Sequence, residues 1–531
     1  MLEELLAVLI ARWPIVLSVA IIAFCLKNYF NNGLNKYPGP ALARVTDWWR
    51  FWDVYNRRPD ITQLALHRKH GDVVRLGPNC LSFSDPQAIK QIYGLNKGMT
   101  KSGFYPVQQA VTNGKRLPSL FSTTDEAYHA QLRRSVNNAF SMSTLVQYEP
   151  LVNEVVDLFL TQTSRIYAQT SQTCNFAKWL QFFAFDVIGQ ITYSKRHGFV
   201  DRNEDVDGMI GYLAKLFSYV APIGQIPWLD LLFLKNPLIL LLDRFGVKMT
   251  AFPVTTFAKS RMTERLDELK SASGEKSKEE AMNSRQDLLS MFLKAQKDRP
   301  EFMTDNRVLT MAVSMAFAGS ETTAISLSAV FYYLLRNPAT YHKLQQELAD
   351  AVAEGKVEDR PNGAVSWAES QTLPYLDACI KEAFRVHPAA GLPLERVVPA
   401  EGMEICGEFV KGGTVVGVNA WVVHKREEVF NPLNKYHIDE YMPERWLDDA
   451  LSKDQLKTME GTLFQFGAGA RTCIGKNISL LEVYKLVPSF LRRFDIEFAN
   501  PDRPEWTLHN AWFVAQRGFE VRFRERGLVG H

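Results

Sequence analysis

The sequence is poor in cysteine and nearly neutral in charge, and both scarcities exclude classes of protein. It has six cysteines among 531 residues, and no two of them form a C-x-x-C pair. A structural zinc site, a thioredoxin-like pair and a disulfide framework are therefore not indicated, and sparse thiols suit a reducing compartment. The formal net charge is only +3. An excess this small does not predict binding to nucleic acid.

The chain also shows no internal repeat, and its apolar content of 46% supports a large core. Hydrophobic periodicity predicts a mainly α class with small β-sheets. Helices are expected at residues 304–336, at Pro374–Val386 and from just after Cys473 to Phe494. Short strands are expected within residues 72–83 and 397–423.

An apolar run covers residues 5–10 and 14–26, with Arg12 between the two parts. A helix of about 20 apolar residues spans a bilayer, so we predict a membrane anchor; a buried N-terminal helix is the alternative. No small-residue cleavage pattern follows, which disfavours a removed signal peptide. Acidic residues precede the run and basic residues follow it, so the positive-inside rule predicts a cytosolic body. These residues are Glu3 and Glu4 before the run, and Lys27, Lys36, Arg44 and Arg50 after it.

Two proline-containing segments follow the apolar run at different distances. Residues 37–40 read Y-P-G-P, which makes a stiff, non-helical elbow. Such an elbow would hold a globular body at a fixed angle to a membrane; an ordinary linker is the alternative. Residues 221–234 form an apolar loop with two prolines. This loop predicts either a surface that dips into lipid or ordinary core packing.

The stretch F-G-A-G-A-R-T-C-I-G, residues 466–475, sets one of the few cysteines in a turn with three glycines. A dinucleotide fingerprint fails here, because the third glycine and an acidic ribose partner are missing at the required spacing. A buried, inert cysteine is a second interpretation. The third is a thiolate metal ligand, because Cys473 stands where a helix begins, and the helix N-terminus favours a negative sulfur. Gly469 and Gly475 would let a flat cofactor approach the backbone, and Arg471 could reach an anionic group on it.

With Phe466, Gly469, Arg471, Cys473 and Gly475 all in place, this stretch resembles the haem-binding signature of the cytochrome P450 family. The resemblance implies haem b with its iron ligated by the Cys473 thiolate, an arrangement that favours cleavage of the O–O bond of dioxygen. It also implies the fold of that family, a helix-rich triangular prism with small sheets. Motifs of the family occur in order from residue 37 to residue 494, so the resemblance covers nearly the whole chain.

A second motif lies on the helix predicted at Pro374–Val386. It reads E-x-x-R, and its Glu382 and Arg385 share one face and can pair. An ordinary surface ion pair is the alternative from the residues alone. Further on, M-P-E-R-W resembles the P-E-R-F region of the family. The resemblance implies a buried triad of Glu382, Arg385 and Arg445 that supports the cysteine loop.

The long predicted helix contains A-G-S-E-T-T, residues 318–323, where small and hydroxyl residues weaken a helix. A kinked core helix is one interpretation. The segment is also similar to the oxygen-activation motif of the family, which implies that Thr322 donates a hydrogen bond to dioxygen and Glu321 supplies protons. A stripe at steps of four and three leads along the helix to Thr322. We expect this stripe and two later segments to line the substrate cavity. The cavity residues are Val308, Ala312, Met315, Gly319, Leu392, Pro393 and Trp512.

Three further basic residues match positions at which the family binds the haem propionates. His129 and Arg133 lie four residues apart in a predicted helix, and Arg396 lies in L-P-L-E-R-V-V-P. An arginine suits a carboxylate through its paired donors, whereas a lone histidine is more often structural. Arg134, Lys476 and Lys485 would form a basic face for an acidic electron-donor protein.

The resemblance implies a monooxygenase that inserts one oxygen atom from dioxygen into an apolar small molecule, with electrons from NADPH. No flavin or nicotinamide fingerprint occurs in the sequence, so a separate NADPH–cytochrome P450 reductase, with cytochrome b5 as an additional donor, is the expected partner. The anchor and elbow match microsomal members of the family. Residues 1–30 would then be a single-pass anchor in the endoplasmic reticulum membrane, 31–42 a proline-rich hinge, and 43–531 one haem-binding domain facing the cytosol.

The segments Y-P-G-P, R-L-G-P-N and L-E-R-V-V-P are similar to those of filamentous-fungal members such as the pisatin demethylase group. Secondary metabolism is therefore the expected context, with a terpenoid, polyketide or aromatic substrate. Three other functions stay open. A haem-thiolate isomerase or dehydratase needs no external electrons, a membrane haem sensor or carrier turns over no substrate, and a scaffold binds no haem. Glu321 and Thr322 disfavour the isomerase, because that reaction delivers no proton to dioxygen.

Overall fold

Helices make up most of the backbone in the computed structural model, which describes residues 12–112, 114–247, 253–271, 287–360 and 363–526. The first part of the predicted anchor, including residues 5–10, lies outside the described residues. The helices are Trp13–Tyr29 (α1), Trp48–Tyr55 (α2), Pro59–His70 (α3), Gln87–Tyr93 (α4), Glu126–Val136 (α5), Met142–Leu145 (α6), Glu149–Thr163 (α7), Phe176–Tyr193 (α8), Phe199–Arg202 (α9), Met209–Ile223 (α10), Pro237–Arg244 (α11), Pro253–Ser271 (α12), Leu288–Asp298 (α13), Asp305–Arg336 (α14), Pro338–Ala353 (α15), Trp367–Ser370 (α16), Pro374–Val386 (α17), Ala420–Val423 (α18), Glu427–Phe430 (α19), Lys453–Thr462 (α20) and Lys476–Arg493 (α21).

The three helices expected from periodicity are present with nearly the expected bounds. The long helix α14 ends at Arg336, directly before Asn337 and Pro338, and α17 ends at Val386, two residues before Pro388. Proline cannot continue a helix, and it disfavours the helical conformation of the residue before it. The mainly α class with small sheets is therefore confirmed.

The strands form one five-stranded sheet, one three-stranded sheet and three hairpins within the described residues. The large sheet has the order β1-β2-β10-β7-β3, and it is antiparallel except for the parallel pair β2 and β10. The small sheet has the order β11-β14-β6. The strands are Val73–Gly77 (β1), Cys80–Phe83 (β2), Thr100–Lys101 (β3), Ala110–Thr112 (β4), Lys115–Leu117 (β5), Cys174–Asn175 (β6), Arg396–Val397 (β7), Met403–Ile405 (β8), Glu408–Val410 (β9), Val415–Val418 (β10), Phe494–Phe498 (β11), Thr507–Ala511 (β12), Phe513–Arg517 (β13) and Glu520–Glu525 (β14).

The helix α14 runs through the main core and packs against α8. The Tyr193 hydroxyl of α8 donates a hydrogen bond to the Ala312 carbonyl at 2.9 Å. A Cβ atom at Gly319 would lie 2.9 Å from the Ile188 side chain of α8, so the close approach of the two helices requires a glycine there. Around them, Phe159, Phe176, Phe331 and Phe490 cluster with ring centroids 5.0 to 5.9 Å apart.

The helix α1 is apolar and has 17 residues, none of them buried. Among the described helices, only α14 is long and apolar enough to cross a membrane, and half of its most apolar window is buried inside the protein. That burial marks α14 as a core helix. The described part of α1 is shorter than a full span, since 17 residues extend over about 26 Å.

Candidate active site

The predicted cysteine loop is a closed turn that leads into α21. The Cys473 backbone N–H donates to the Phe466 carbonyl at 2.8 Å, which closes the loop. A single 3₁₀ turn covers Gly469–Arg471, and α21 begins at Lys476, three residues after the cysteine. The Phe466 ring meets the Phe384 ring of α17 edge-on at 5.8 Å. The loop is therefore held between α17 and α21.

Two loop glycines have backbone conformations that other residues avoid. Gly467 and Gly469 have φ angles of 67° and 66°, and a Cβ atom at Gly469 would lie 1.7 Å from the Tyr93 carbonyl oxygen. Gly475 has an ordinary φ, and its Cβ would lie 4.0 Å from the Cys473 sulfur. Glycine at these three positions therefore lets the loop fold tightly and leaves the side of the sulfur open.

The Cys473 side chain keeps exposed surface although protein surrounds it closely. Burial raises the pKa of its thiol, and the N–H groups of Gly475 and Lys476 together with the Arg133 charge oppose that rise. The thiol is thus accessible although protein surrounds it, and we call the region beside its accessible surface the internal space; hydrogen-bond donors and a positive charge lie next to the sulfur. These are the surroundings that favour a thiolate once a metal ion binds.

A cluster of cations faces the same internal space. Burial, followed by the charges of Arg471, Lys101, Arg133 and Arg396, lowers the pKa of His129 to about 3. The His129 ring makes no hydrogen bond within the described residues, and its side chain is buried. Arg133 donates from Nη1 to the Thr472 carbonyl at 2.7 Å, which ties α5 to the cysteine loop. We call Lys101, Arg133, Arg396 and Arg471, together with the neutral His129 between them, the cation cluster.

Lys101 of the cation cluster was not predicted from the sequence. It lies in β3 directly opposite Arg396 in β7, and two like charges opposite each other destabilise a sheet. Its Nζ donates to the Phe121 carbonyl at 2.5 Å and lies over the rings of Tyr105 and Phe121 at 4.2 and 4.3 Å. Only the pairing of β3 with β7 reveals this lysine, because no local motif marks it.

The cation cluster has few anionic partners. Arg396 donates only from Nη1, to the Tyr105 hydroxyl and to the Leu394 and Glu395 carbonyls. The Glu395 carboxylate itself is bonded to Arg50 and Ser102. In the described part of the chain, Lys101, Arg133 and Arg396 form no ion pair. Burial, followed by the charges of Arg396 and Arg471, lowers the pKa of Lys101 well below its ordinary value, so a positive charge on this lysine lacks compensation within the described residues.

Arg471 is the exception in the cluster, because a carboxylate already holds it. Its Nη2 and Nε donate to Glu126 at the start of α5, at 2.6 and 3.0 Å, and its Nη1 donates to the Leu120 carbonyl. The sequence predicted an anionic group on a cofactor as its partner. In the structure its partner is Glu126, so Arg471 ties the cysteine loop to α5.

The three residues of the predicted triad lie together behind the cysteine loop, all buried. Arg385 donates from Nε and Nη2 to the two oxygens of Glu382 at 2.9 and 2.8 Å. Arg445 donates to Glu382 at 3.2 Å, and the Trp446 indole donates to it at 2.9 Å. Burial alone would raise the pKa of Glu382, but Arg385 and then Arg445 outweigh it and hold that pKa below its ordinary value.

The triad reaches the cysteine loop through His424, which the sequence did not single out. Arg385 donates to the His424 carbonyl at 3.2 Å, and the His424 ring contacts the Arg385 carbonyl through Nδ1. The Phe464 backbone N–H donates to Nε2 of the same ring at 2.7 Å. Because Phe464 directly precedes the loop, this chain of bonds connects Glu382 to the cysteine turn.

On α14, Glu321 and Thr322 lie on the partly exposed side of the helix. The Thr322 hydroxyl donates to the Ala318 carbonyl at 2.7 Å, so the helix continues unbroken through this segment. Burial raises the pKa of Glu321 to about 7, and its Oε2 atom has no hydrogen-bond partner within the described residues. An unpartnered carboxyl with that pKa can give and take protons near neutral pH.

Three of the α14 residues predicted to line the cavity are buried, and Gly319 is partly buried. Val308, Ala312 and Met315 are buried in the main core, and Gly319 meets α8 through Ile188. The side of α14 with exposed surface carries Ser314, Phe317, Ala318, Glu321 and Thr322 instead. The reason is physical: a regular apolar stripe marks the face that packs on a neighbouring helix, whereas a ligand cavity needs accessible side chains.

The other predicted cavity residues are buried in a small cluster near the β12–β13 hairpin. Leu392 packs with Trp512 and Phe104, and Pro393 is also buried. The Trp512 ring stacks on Phe104 with centroids 4.6 Å apart, and its φ of 80° is rare for a bulky residue. Leu394 and Phe513, which pack against this cluster, keep more exposed surface.

The residues around this space suit haem. A porphyrin with two propionates carries two negative charges, which would compensate the unpaired members of the cation cluster. Cys473 offers an accessible sulfur close to Arg133. Gly469, which was expected to admit a flat cofactor, instead packs against the Tyr93 backbone, and a Cβ atom at Gly475 would only touch the Cys473 sulfur. His129, Arg133 and Arg396 would hold the propionates together with Lys101.

Comparison with known proteins agrees with a haem site at this place. A family model described as Cytochrome P450 matches residues 45–522. Cytochrome P450 monooxygenase cicH of Emericella nidulans is 40% identical over 496 residues, which are 93% of this chain and 95% of that protein. A cytochrome P450 monooxygenase of Aspergillus terreus is 38% identical over 93% of this chain and 97% of its own length. Cytochrome P450 monooxygenase mpaDE of Penicillium brevicompactum is 35% identical, and this chain spans 57% of its length.

Proposed function

The chain belongs to the cytochrome P450 family, and we propose that it is a membrane-bound haem-thiolate monooxygenase of fungal secondary metabolism. It inserts one oxygen atom from dioxygen into an apolar small molecule, with electrons that originate from NADPH. Residues 1–30 anchor it in the endoplasmic reticulum membrane, 31–42 connect the anchor, and 43–531 form one haem-binding domain in the cytosol. The further likeness to the pisatin demethylase group stays a prediction.

One observation carries the proposal: an accessible thiol and a set of unpaired cations lie around the same internal space. Cys473 supplies the sulfur, and Lys101, Arg133 and Arg396 supply charges that no carboxylate balances in the described residues. Haem bound there would supply the cleavage of the O–O bond of dioxygen. In a scaffold without haem, nothing would compensate the repulsion between these charges.

The chain itself supplies protons for the reaction. Glu321 holds a proton up to about pH 7 and has a free carboxyl oxygen, and Thr322 lies next to it on the accessible side of α14. A proton can pass from this carboxyl to the Thr322 hydroxyl through water. This pair favours monooxygenation over isomerisation or dehydration, which need no such proton.

Several exposed apolar side chains support attachment to a membrane. The segment 227–245 carries many of them, and α2, which packs near the buried part of residues 220–229, carries three more. Contiguous apolar surface of this kind marks a membrane or protein contact. These residues are Trp48, Trp52, Tyr55, Trp228, Leu231, Leu232, Phe233, Leu234, Leu238, Leu241, Leu242 and Phe245. The segment 221–234, predicted as a loop, contains the end of α10 and a 3₁₀ turn at Pro227–Leu231. Residues 221–226 and 229–230 are buried, whereas Trp228 and residues 231–234 are exposed.

A separate reductase is the proposed electron donor, with cytochrome b5 as an additional donor. Arg134 and Lys476 are exposed near the cysteine loop and suit an acidic partner. Lys485 does not belong to that basic face. It is buried, and it bonds to Glu149 at 2.5 Å and to the Val365 carbonyl at 2.8 Å.

The haem ligand is tested with Cys473→Ser in the full chain. We expect the thiolate signature in the spectrum of the reduced, carbon monoxide-bound protein to disappear, while Cys406→Ser, a matched change at a partly exposed cysteine, leaves it unchanged. A signature that survives Cys473→Ser would place the ligand elsewhere.

The reaction is tested by feeding apolar candidate metabolites to cells that express the chain with or without a reductase. We expect products heavier by one oxygen atom only when the reductase is present. Products of unchanged oxidation level without the reductase would favour the isomerase, and spectral binding without any NADPH consumption would favour a sensor or carrier.

A further inference from the structure

Arg75 of β1 is a fully buried arginine that bonds only to backbone carbonyls. Its guanidinium donates to the Asn28 and Tyr29 carbonyls at 2.6 and 2.8 Å. It also donates to the Gly77 and Pro78 carbonyls at 3.1 and 2.7 Å. No carboxylate in the described part of the chain pairs with it.

The partners of Arg75 explain how this charge is tolerated. A buried arginine is normally paired with an acid, because an isolated buried charge is costly. Asn28 and Tyr29 form the last turn of α1, whose final carbonyls have no partners within the helix and carry the negative end of the helix dipole. The end of α1 therefore serves Arg75 in place of a carboxylate.

The same strand residue also holds the proline elbow. The Arg75 backbone N–H donates to the Pro38 carbonyl at 2.8 Å, and a Cβ atom at Gly39 would lie 2.2 Å from the Arg75 carbonyl oxygen. Arg75 thus contacts the helix α1 with its side chain and the elbow with its backbone. It stands where the helix, the elbow and the five-stranded sheet meet.

Weaker contacts surround this junction. The Asn28 amide donates to the Val45 carbonyl at 2.7 Å, and Asn32 donates to Asn79 and Thr414 at 3.1 and 3.3 Å. Between helix and elbow, Asn32 and Gly33 both have a positive φ, 51° and 75°. None of the α1 residues is buried, and the side-chain hydrogen bonds that join the described part of α1 to the domain lie at its C-terminal end.

We propose that Arg75 sets the angle at which the anchor helix leaves the catalytic domain, and thereby the tilt of the haem plane against the bilayer. This inference rests on the membrane anchor of the proposed function. Two bonds from one rigid guanidinium reach the end of α1 and two hold the same guanidinium to Gly77 and Pro78, so the helix end is fixed to the sheet in orientation as well as in position. Without them, the chain can pivot at Asn32 and Gly33.

The test compares the full-length, haem-loaded chain with its Arg75→Met variant in oriented bilayers. We expect polarised absorption of the haem to show one defined tilt in the unchanged chain and a strongly reduced dichroism in the variant. The carbon monoxide spectrum should be the same in both. Backbone amides of residues 28–38 should exchange about tenfold faster or more in the variant, as expected for the loss of charged hydrogen bonds.

The matched control is Arg522→Met, which removes an exposed arginine that also donates to a carbonyl, that of Ala499. It should change neither the dichroism nor the exchange. Equal dichroism and equal exchange in Arg75→Met and the unchanged chain would overturn the proposal. If Arg75→Met does not fold, Arg75→Lys replaces it: the lysine keeps the charge but cannot reproduce the donors that reach Asn28, Tyr29, Gly77 and Pro78 together, and equal tilt and exchange in that variant would overturn the proposal as well.

The experiments distinguish two failures: that residues 1–30 do not bind the membrane, and that Arg75 does not fix the end of α1. An unchanged chain that does not float with liposomes refutes the anchor. The exchange measurement needs no membrane, so equal exchange rates refute the role of Arg75 even in that case.

Discussion

Glu382→Gln is the most direct test of how the buried triad supports the cysteine loop. The carboxylate accepts five hydrogen bonds: two from Arg385, one each from Arg445 and Trp446, and one from the Met442 backbone. Glutamine keeps the size of the side chain but removes its charge and turns one acceptor oxygen into a donor. The N–H groups of the glutamine amide would then face the N–H groups of its former partners, and the guanidinium groups of Arg385 and Arg445 would lose their carboxylate.

Removing one partner of a buried ion pair costs about 3–5 kcal/mol, because the other charge stays buried. Against a total stability of roughly 5–15 kcal/mol for a typical domain, that loss is severe. We therefore expect the free energy of unfolding, followed in denaturant through the haem absorbance, to fall by about 3–5 kcal/mol. Because Glu382 connects to Phe464 through Arg385 and His424, haem should also be lost faster.

The acid dependence follows from the sign of the pKa shift. The pKa of Glu382 is lowered in the folded protein, so its stabilising contribution is complete above the unfolded value of about 4.3 and is lost as the pH falls through the folded value. The difference between the unchanged chain and Glu382→Gln should therefore be largest at neutral pH and shrink in acid.

Glu460→Gln is the matched control. Glu460 is exposed and bonds to Lys381, the residue next to Glu382, at 2.7 Å. A surface pair of this kind contributes about 0–1 kcal/mol. If Glu382→Gln destabilised the protein no more than Glu460→Gln, the triad would not support the loop.

Three further predictions concern the internal space. Lys101→Met should raise the melting temperature of the haem-free chain, because it removes an unpaired buried cation, and should speed haem transfer to an acceptor protein about tenfold, as expected for the loss of one charged hydrogen bond. The control Lys97→Met, at an exposed lysine, should change neither quantity, and slower haem loss from Lys101→Met would contradict a role in propionate binding. Thr322→Ala should divert electrons from product to hydrogen peroxide. Thr310→Ala, which removes the same type of hydrogen bond to the carbonyl four residues earlier, should not, and an equal ratio of product to peroxide in both variants would contradict the role of the Thr322 hydroxyl. Glu321 keeps its proton to about pH 7 in the folded chain but only to about pH 4.3 when unfolded, so its contribution to the free energy of unfolding falls as the pH rises between these values. Glu321→Gln should abolish that fall in a pH series of denaturation curves, and an unchanged series would show that the carboxyl is not buried.

The helix bounds and the short-range motifs could be predicted because their causes are local. Proline after α14 and α17 ends both helices whatever packs around them. Glu382 and Arg385 meet because residues three apart share a helix face. In such cases the neighbours in the sequence are also the neighbours in space.

Features that depend on long-range contacts could not be predicted. Lys101 belongs to the cation cluster only because β3 pairs with β7, almost three hundred residues later in the chain. His424 connects the triad to the loop through a ring whose partners lie on α17 and at Phe464. Periodicity identifies the apolar stripe of Val308, Ala312 and Met315, but it does not show whether a neighbouring helix or a ligand covers that stripe.

Buried cations in this protein fall into two groups, and the difference between them indicates where a ligand belongs. Arg265, Lys235 and Lys485 each pair with a carboxylate, that of Asp287, Asp230 and Glu149. Lys101 and Arg396 are as deeply buried and donate only to uncharged oxygens, but they lie directly opposite each other and form no ion pair within the described residues. A folded chain tolerates that repulsion when a negatively charged group outside the polypeptide compensates it. The opposed pair of Lys101 and Arg396 therefore argues for a bound anion at this place independently of any sequence motif.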